Sequence, residues 1–301
     1  MATLNVENLD AKDPQSKFDA LARQIVSNLA SPGIVALQEI QDNNGPEGGQ
    51  PTADQTWAKL INAITAAGGP TYAYRQIDPV NGTDGGEPNG NIRVGFLFRT
   101  GTVTFAPGTH GDATTAVQVS DSGTTGDRVA LSLNPGNSPF TGSRKPLVGK
   151  FYFAGKPVFV IANHFNSKGG DDPLFGRYQP PTRSSETQRG AQAQIVADFY
   201  KKITAIDPNA RVIVAGDLND FEFSTAVGKL TAAGLTDLPA TLPDSDRYSY
   251  IYEGNSQVLD HLLISPALVT AGYAYDAVHT NSEFTVRPTD HDPQIARLNI
   301  P

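Results

Sequence analysis

The chain has no cysteine, which excludes disulfides, thiol nucleophiles and thiolate metal centres at once. It also lacks any apolar run approaching the roughly 18 residues that a membrane-crossing helix needs. Positive charge is scarce: 23 Lys and Arg face 31 Asp and Glu, for a net charge of -8. That balance argues against a general electrostatic grip on nucleic acid, so any polyanion has to be handled locally, and a bound divalent cation would supply the local charge. No linker, charge block or internal period divides the 301 residues, which read as one domain over 1–301. The N-terminus has neither the charged start nor the apolar stretch of a secretory signal, yet Thr3-Leu4-Asn5-Val6 reads as a strand almost at once. We therefore expect that a leader once preceded it.

What is present describes an ordinary folded protein: 39% hydrophobic, 18% charged, with 29 Gly and 22 Pro marking many turns. Phe18, Leu21, Ala22, Ile25 and Leu29 recur at helical spacing before the apolar run Ile34-Val35-Ala36-Leu37. A second helix carries Trp57, Leu60, Ile61 and Ile64, and a strand follows at Tyr72-Ala73-Tyr74. Residues 78–91 are nearly devoid of apolar side chains, and a second such stretch covers roughly His110 to Arg128. Further strands are expected at Ile92 to Phe98, Val129 to Leu133, Leu147 to Phe153, Val158 to Asn163 and Val212 to Ala215. The last ones fall at Tyr248 to Tyr252, Leu259 to Ile264 and Gln294 to Leu298. A long helix starts near Ser184-Ser185, whose hydroxyls can cap it, and a short one lies near Ser224 to Ala232. Many strands with few helices favour two packed sheets with helices outside over a doubly wound parallel sheet.

Several of these strands end on groups with chemistry. Val212 to Gly216 stops at Asp217-Leu218-Asn219, and in extended chain positions i and i+2 face the same way. The carboxylate can hold or deprotonate a water while the amide donates to a phosphoryl oxygen, although an Asx-rich turn capping the next helix explains the pair equally well. Asp260 interrupts the apolar strand Val258 to Ile264 and must be paired, either with adjacent His261 or with a distant histidine such as His291. The second choice orients an imidazole so that its other nitrogen meets an anion. Asp290-His291, before the last strand, suits a cation or a phosphate oxygen, or else a turn or structural metal site. His164 ends Val160 to Asn163, with Lys168 in the following loop, and Glu39 ends Ile34 to Gln38, where a carboxylate calls for a compensating cation. Asn5 in the first strand is the least specific of the set.

Taken in order, Asn5 in LNVENL, Glu39 in ALQEI, His164 in ANHF, Asp217 and Asn219 in AGDLND, Asp260 in VLDHLLIS and Asp290-His291 in TDHDP resemble the endonuclease/exonuclease/phosphatase superfamily across nearly the whole chain. That resemblance implies an α+β fold: a four-layer sandwich of two mainly antiparallel sheets face to face, with helices outside. It implies Mg²⁺, with Mn²⁺ as a substitute, on Glu39 with Asn5 and Asp290 nearby. Asp217 would activate water, Asn219 and His164 would hold the phosphate, and Asp260 would pair with His291, which stabilises the pentacovalent transition state. NHFNSKGGDD and YIYEGNSQVLDHLLIS are similar to bacterial secreted nucleases, but Phe165-Asn166 stands where their loop has Leu-Lys, so one cation is missing. Lys168 and Arg93 are then the candidate phosphate contacts, Arg93 being equally readable as a strand-edge charge.

The resulting expectation is an exported, metal-dependent nuclease acting on DNA, with RNA as a further candidate substrate, monomeric and with no implied protein partner. The same centre on a phosphomonoester, phospholipid or inositol phosphate, or a binding module without turnover, are the alternatives. The Asn81 to Asn91 loop, with Asp84, Glu87 and Asn89, is read as a substrate-facing loop or a Ca²⁺ site.

Overall fold

In the strand Ile34–Ile40, Ile34 and Ala36 join one apolar cluster while Val35 and Leu37 join another. Side chains alternate across a strand, so a run that is apolar at successive positions must be covered on both faces. The computed structural model, which describes residues 1–106, 111–119, 131–132, 136, 138–173 and 175–301, shows what covers them.

The strands in chain order are β1 (Ala2–Leu9), β2 (Ile34–Ile40), β3 (Tyr72–Gln76), β4 (Arg93–Arg99), β5 (Val103–Phe105), β6 (Leu131–Ser132), β7 (Leu147–Phe153) and β8 (Lys156–His164). They continue with β9 (Val212–Asp217), β10 (Thr236–Asp237), β11 (Tyr250–Tyr252), β12 (Asn255–Gln257), β13 (Asp260–Ile264), β14 (Tyr273–Ala277) and β15 (Gln294–Leu298). The α-helices are α1 (Gln15–Arg23), α2 (Asp54–Ala66), α3 (Ser184–Ile206), α4 (Thr225–Ala232) and α5 (Pro266–Ala271). One sheet runs β14-β15-β1-β2-β4-β3 and the other β10-β13-β9-β8-β7-β5, with β6 also on β7 and β11-β12 forming a separate ribbon. Each large sheet holds one parallel pair, β1/β2 and β8/β9, among antiparallel neighbours.

Three apolar clusters define four layers. Phe96 and Phe98 of the first sheet meet Phe151, Val160, Ile213 and Leu262 of the second in the middle. On the outer face of the first sheet lie Phe18 and Leu21 of α1 with Trp57 and Leu60 of α2. On the outer face of the second lie Val196 and Phe199 of α3 with Val227 and Leu230 of α4. The fold is thus the expected sandwich of two mixed, mainly antiparallel sheets between helices. Phe151 touches Phe96 and Phe98 across the central layer and its cross-strand neighbour Phe105 in its own sheet, so its truncation to alanine costs roughly 3–5 kcal/mol.

Local details differ from the sequence expectations for identifiable reasons. The cap of α3 is the Asp171 carboxylate, which accepts from the Ser185 N–H at 3.0 Å and from the Ser185 hydroxyl, so the serine donates where it was expected to accept. Ser224 does cap α4, accepting from Val227 N at 3.3 Å. Of the strand expected at Val129 to Leu133, Leu131–Ser132 is present and the other positions lie outside the described residues, as do His110 and residues 120–128 of the loop before it. The short pieces β5, β10, β12, β14 and α5 have too few residues to show a period in sequence.

His261, next to Asp260 on β13, serves the fold. Its Nδ1 lies 3.0 Å from Asp237 Oδ1 and its Nε2 2.9 Å from the Asp220 carbonyl, two acceptors that are both satisfied only by an imidazolium. Burial disfavours that charge, but Asp237 and the two hydrogen bonds outweigh it and raise the pKa above 6.5. A raised folded-state pKa contributes stability that is complete below about 6.5 and disappears as pH climbs through the raised value. Urea denaturation across this window should therefore show the stability gap between wild type and His261→Gln narrowing as pH rises; a gap independent of pH would contradict the charged pairing.

Candidate active site

Parallel strands deliver their C-terminal residues to the same edge, and each sheet's parallel pair does so here. His164 ends β8 directly opposite Asp217, which ends β9. Antiparallel β13 begins at the same place, with Asp260 opposite Asp217. In the other sheet Asn5 of β1 lies opposite Gln38, one residue from Glu39. The register slips just beyond, and Glu39 takes a left-handed φ of 63°, a conformation that costs a non-glycine residue about 1–3 kcal/mol. The bulge turns the carboxylate out of the apolar alternation of β2 and toward the second sheet. Gly216 has a φ of 131°, and a Cβ there would stand 2.0 Å from the Asn163 carbonyl oxygen, so only glycine lets β8 and β9 close up before Asp217.

The two edges meet through Asn5. Its Nδ2 donates to Glu39 Oε1 at 2.9 Å and to Asp217 Oδ2 at 3.1 Å, and its Oδ1 accepts from Glu7 N at 3.0 Å. His164 Nε2 lies 3.7 Å from Glu39 Oε1 and 3.6 Å from Asp217 Oδ2. Burial, followed by the Arg144 and His291 charges, holds His164 well below the ordinary histidine pKa, so the ring is neutral. Burial raises Asp217 to about 6 despite the His291 charge nearby. Asn219, left-handed at φ 51°, folds back so that its own N–H donates to Asp217 Oδ1 at 2.7 Å and its Nδ2 lies 3.3 Å from Oδ2. An Asx turn, and not continued extended chain, thus brings the pair together.

His291 resolves the choice of partner for Asp260: its Nδ1 lies 2.6 Å from Asp260 Oδ2, which also accepts from Ser249 Oγ at 2.8 Å. Burial opposes charge on the ring, yet Asp260, with Asp217 and Asp290, raises its pKa well above 6.5. Its Nε2 is left facing Asp217 Oδ2 and Asp290 Oδ1, each at 3.9 Å. Lys168 reaches the Asn219 carbonyl and lies 3.6 Å from Asp220, with burial pushing its pKa down to about 8 against the pull of Asp220.

These groups line one cleft of about 790 Å³, with Glu39, His164, Asp217, Asn219, Asp290 and His291 among its walls. Lys168 lines it as well. Arg93 does not. Its guanidinium is buried, ion-paired with Asp78 and bonded to the Asn91 carbonyl at 2.7 Å, and it lines a separate cavity of about 280 Å³. Sequence reasoning missed two cations that line the cleft: Arg183, ion-paired with Glu186 at 3.1 Å, and Arg144, which donates to the Phe165 carbonyl at 2.6 Å and is drawn by Glu39 and Asp217. Nothing in Gly142-Ser143-Arg144-Lys145 signals that placement. Tyr250 was also missed; it lies 4.9 Å from the His291 ring and lines the cleft with Asp290.

The donor chemistry suits a hard divalent cation. Glu39, His164 and Asp217 offer ligand atoms that all lie within 4.8 Å of one another, carboxylate oxygens predominating. The expected set of Asn5, Glu39 and Asp290 is arranged differently. Asn5 turns its amide N–H toward the carboxylates because its oxygen is taken by Glu7, and Asp290 stands on the His291 side of the cleft. In the Asn81 to Asn91 loop, Asp84 is ion-paired with Lys145 and Asn91 donates to Asp42 at 2.7 Å, while Gly86 and Glu87 border the cleft. The loop therefore faces the cleft, and Asp84 is engaged away from Glu87. Replacing Asp260 by Asn removes the charge that sustains the imidazolium: nitrogen-detected NMR should show His291 staying protonated well above pH 7 in wild type and titrating lower in Asp260→Asn. An unchanged titration would refute the pairing.

The sequence matches the family model described as Endonuclease/Exonuclease/phosphatase family over residues 2–291. No curated sequence matches the chain. Among solved structures, a family protein from Bacteroides vulgatus aligns with a TM-score of 0.60 at 16% identity, covering 100% of this chain and 98% of the other. SmcL aligns at 0.62 and 15%, covering 99% and 98%. D. rerio TDP2 complexed with single strand DNA product aligns at 0.56 and 17%, covering 100% and 99%. The chain belongs to the endonuclease/exonuclease/phosphatase family, whose members hydrolyse phosphoesters with a divalent metal.

Proposed function

We propose that this chain is an exported, metal-dependent nuclease that hydrolyses DNA by water attack on phosphorus, with Mg²⁺ as the working ion. The observation that carries the reading is the set of groups that meet in one cleft: the Glu39, His164 and Asp217 ligand atoms, which suit a divalent cation, beside Arg144, Lys168 and the charged His291. Carboxylates outnumber the positive groups along the cleft wall, where Glu7, Glu87, Asp171, Asp172, Glu253 and Asp290 also stand, so a bound divalent ion would supply the charge that a phosphodiester needs. The DNA-bound TDP2 with the same fold favours a polynucleotide.

Asp217, ionised above about pH 6, takes the proton of the attacking water. Asn5 and Asn219 share Asp217 Oδ2 and so fix the carboxylate that receives it. Lys168 offers a donor to the phosphoryl oxygens, with Arg144 adding charge behind it, while the Asn219 amide, bonded to Asp217 Oδ2 and to the Phe165 carbonyl at 3.1 Å, positions Asp217. His291, held by Asp260, turns its Nε2–H toward the charge that develops on phosphorus, an interaction that strengthens in the transition state. A divalent ion held by Glu39, with His164 and Asp217 in reach, would neutralise the phosphate and ease departure of the alkoxide.

Single-stranded and plasmid DNA incubated with Mg²⁺, with Mn²⁺ and with chelator should be cut only where metal is present. Asp217→Ala and His291→Ala should each lower kcat/KM by about 100- to 10,000-fold. Turnover of a phosphomonoester or a phospholipid with no cutting of DNA would overturn the nuclease reading, and tight DNA binding without hydrolysis of any phosphoester would overturn the enzyme reading.

A further inference from the structure

Aromatic rings at the cleft fall into two rows. In one, Lys168 Nζ lies 4.5 Å from the centroid of the Phe221 ring, and Phe223 stacks on Phe221 with centroids 5.2 Å apart and planes 21° from parallel. In the other, His291 lies 4.9 Å from Tyr250, and Tyr252 stacks on Tyr250 at 6.5 Å and 13°. Each row therefore begins at a group assigned above to the phosphate, continues through a ring lining the cleft, and ends on a ring open to solvent. Phe223 is 73% exposed and Tyr252 54%. Neither outer ring belongs to an apolar core cluster, and each is stacked on a ring that lines the cleft.

The order of groups suits one kind of ligand. In a polynucleotide, charged phosphates alternate with flat apolar bases, and aromatic side chains hold bases by stacking irrespective of sequence. A duplex hides its base faces inside its own stack, whereas a single strand offers them.

We propose that Phe223 and Tyr252 are base-stacking platforms on either side of the scissile phosphate, and that the preferred substrate is a single-stranded polynucleotide. This rests on the nuclease reading and narrows it. Both side chains stand clear of the core, so Phe223→Ala and Tyr252→Ala should fold as wild type, and Tyr252→Phe keeps the ring while removing the hydroxyl.

The test compares kcat/KM with Mg²⁺ on three substrates: a single-stranded oligonucleotide, its duplex, and the same strand with abasic sugars on both sides of the cut. Wild type should favour the intact single strand over the duplex by roughly tenfold and over the abasic strand, which lacks both stacks, by roughly a hundredfold. Each alanine variant should lose roughly tenfold on the intact strand and nothing on the abasic one, with Tyr252→Phe unaffected. The inference alone is overturned if the alanine variants match wild type on the intact strand, lose the same factor on the abasic strand, or if wild type cuts duplex equally well. It is also overturned if the rings govern cosedimentation with phosphatidylcholine vesicles and leave strand cleavage untouched. Failure of wild type to cut any oligonucleotide would instead overturn the nuclease reading itself.

Discussion

Asp217 is 2% exposed, and a carboxylate so placed is stable only if its surroundings compensate it. Much of the architecture can be understood as that compensation. Asn5 reaches it from the first sheet, Asn219 from the turn that follows it, and His291 and Arg144 bring positive charge from two further segments. The compensation is incomplete, since burial still raises its pKa to about 6. A carboxylate stabilised just enough to be ionised near neutrality, yet still basic, is suited to accept a proton from water.

The price of that geometry is visible in the backbone. Glu39 and Asn219 are both left-handed, and Gly216 occupies a conformation closed to other residues. All three lie where regular strand pairing stops. The sandwich behind them supplies the rigidity: four layers, with the phenylalanine cluster at Phe96, Phe98, Phe105 and Phe151 tying the two sheets together. Strain at the rim is tolerable because the apolar layers behind it are close-packed.

The layers were legible because strand alternation and helical spacing repeat over enough residues to be seen. Asp260 was legible as a buried charge in need of a partner, and the choice between His261 and His291 turned on which face each occupies. Tertiary placement was what sequence could not show. Arg93 and Arg144 both adjoin apolar strands, but one closes on Asp78 beneath a loop and the other faces Glu39 and Asp217. Asn5 was read as a metal ligand, whereas the side on which its amide nitrogen lies follows from the Glu7 N–H, a contact made only after the chain turns left-handed at Glu7. Asp217 and Asn219 were paired correctly for an inexact reason: the turn does what an extended chain was expected to do.

Asn5 and Thr289 are joined by a hydrogen bond from the threonine hydroxyl to the Asn5 carbonyl at 2.8 Å, across 284 positions of sequence. The first strand that carries a site residue and the turn that carries His291 thus depend on each other. During synthesis the cleft cannot assemble until the final strand has emerged and docked beside β1. A chain arrested partway, or clipped before its last turn, would keep most of its core and leave the cleft without His291. For this phosphoesterase, activity is then itself a certificate that folding has finished.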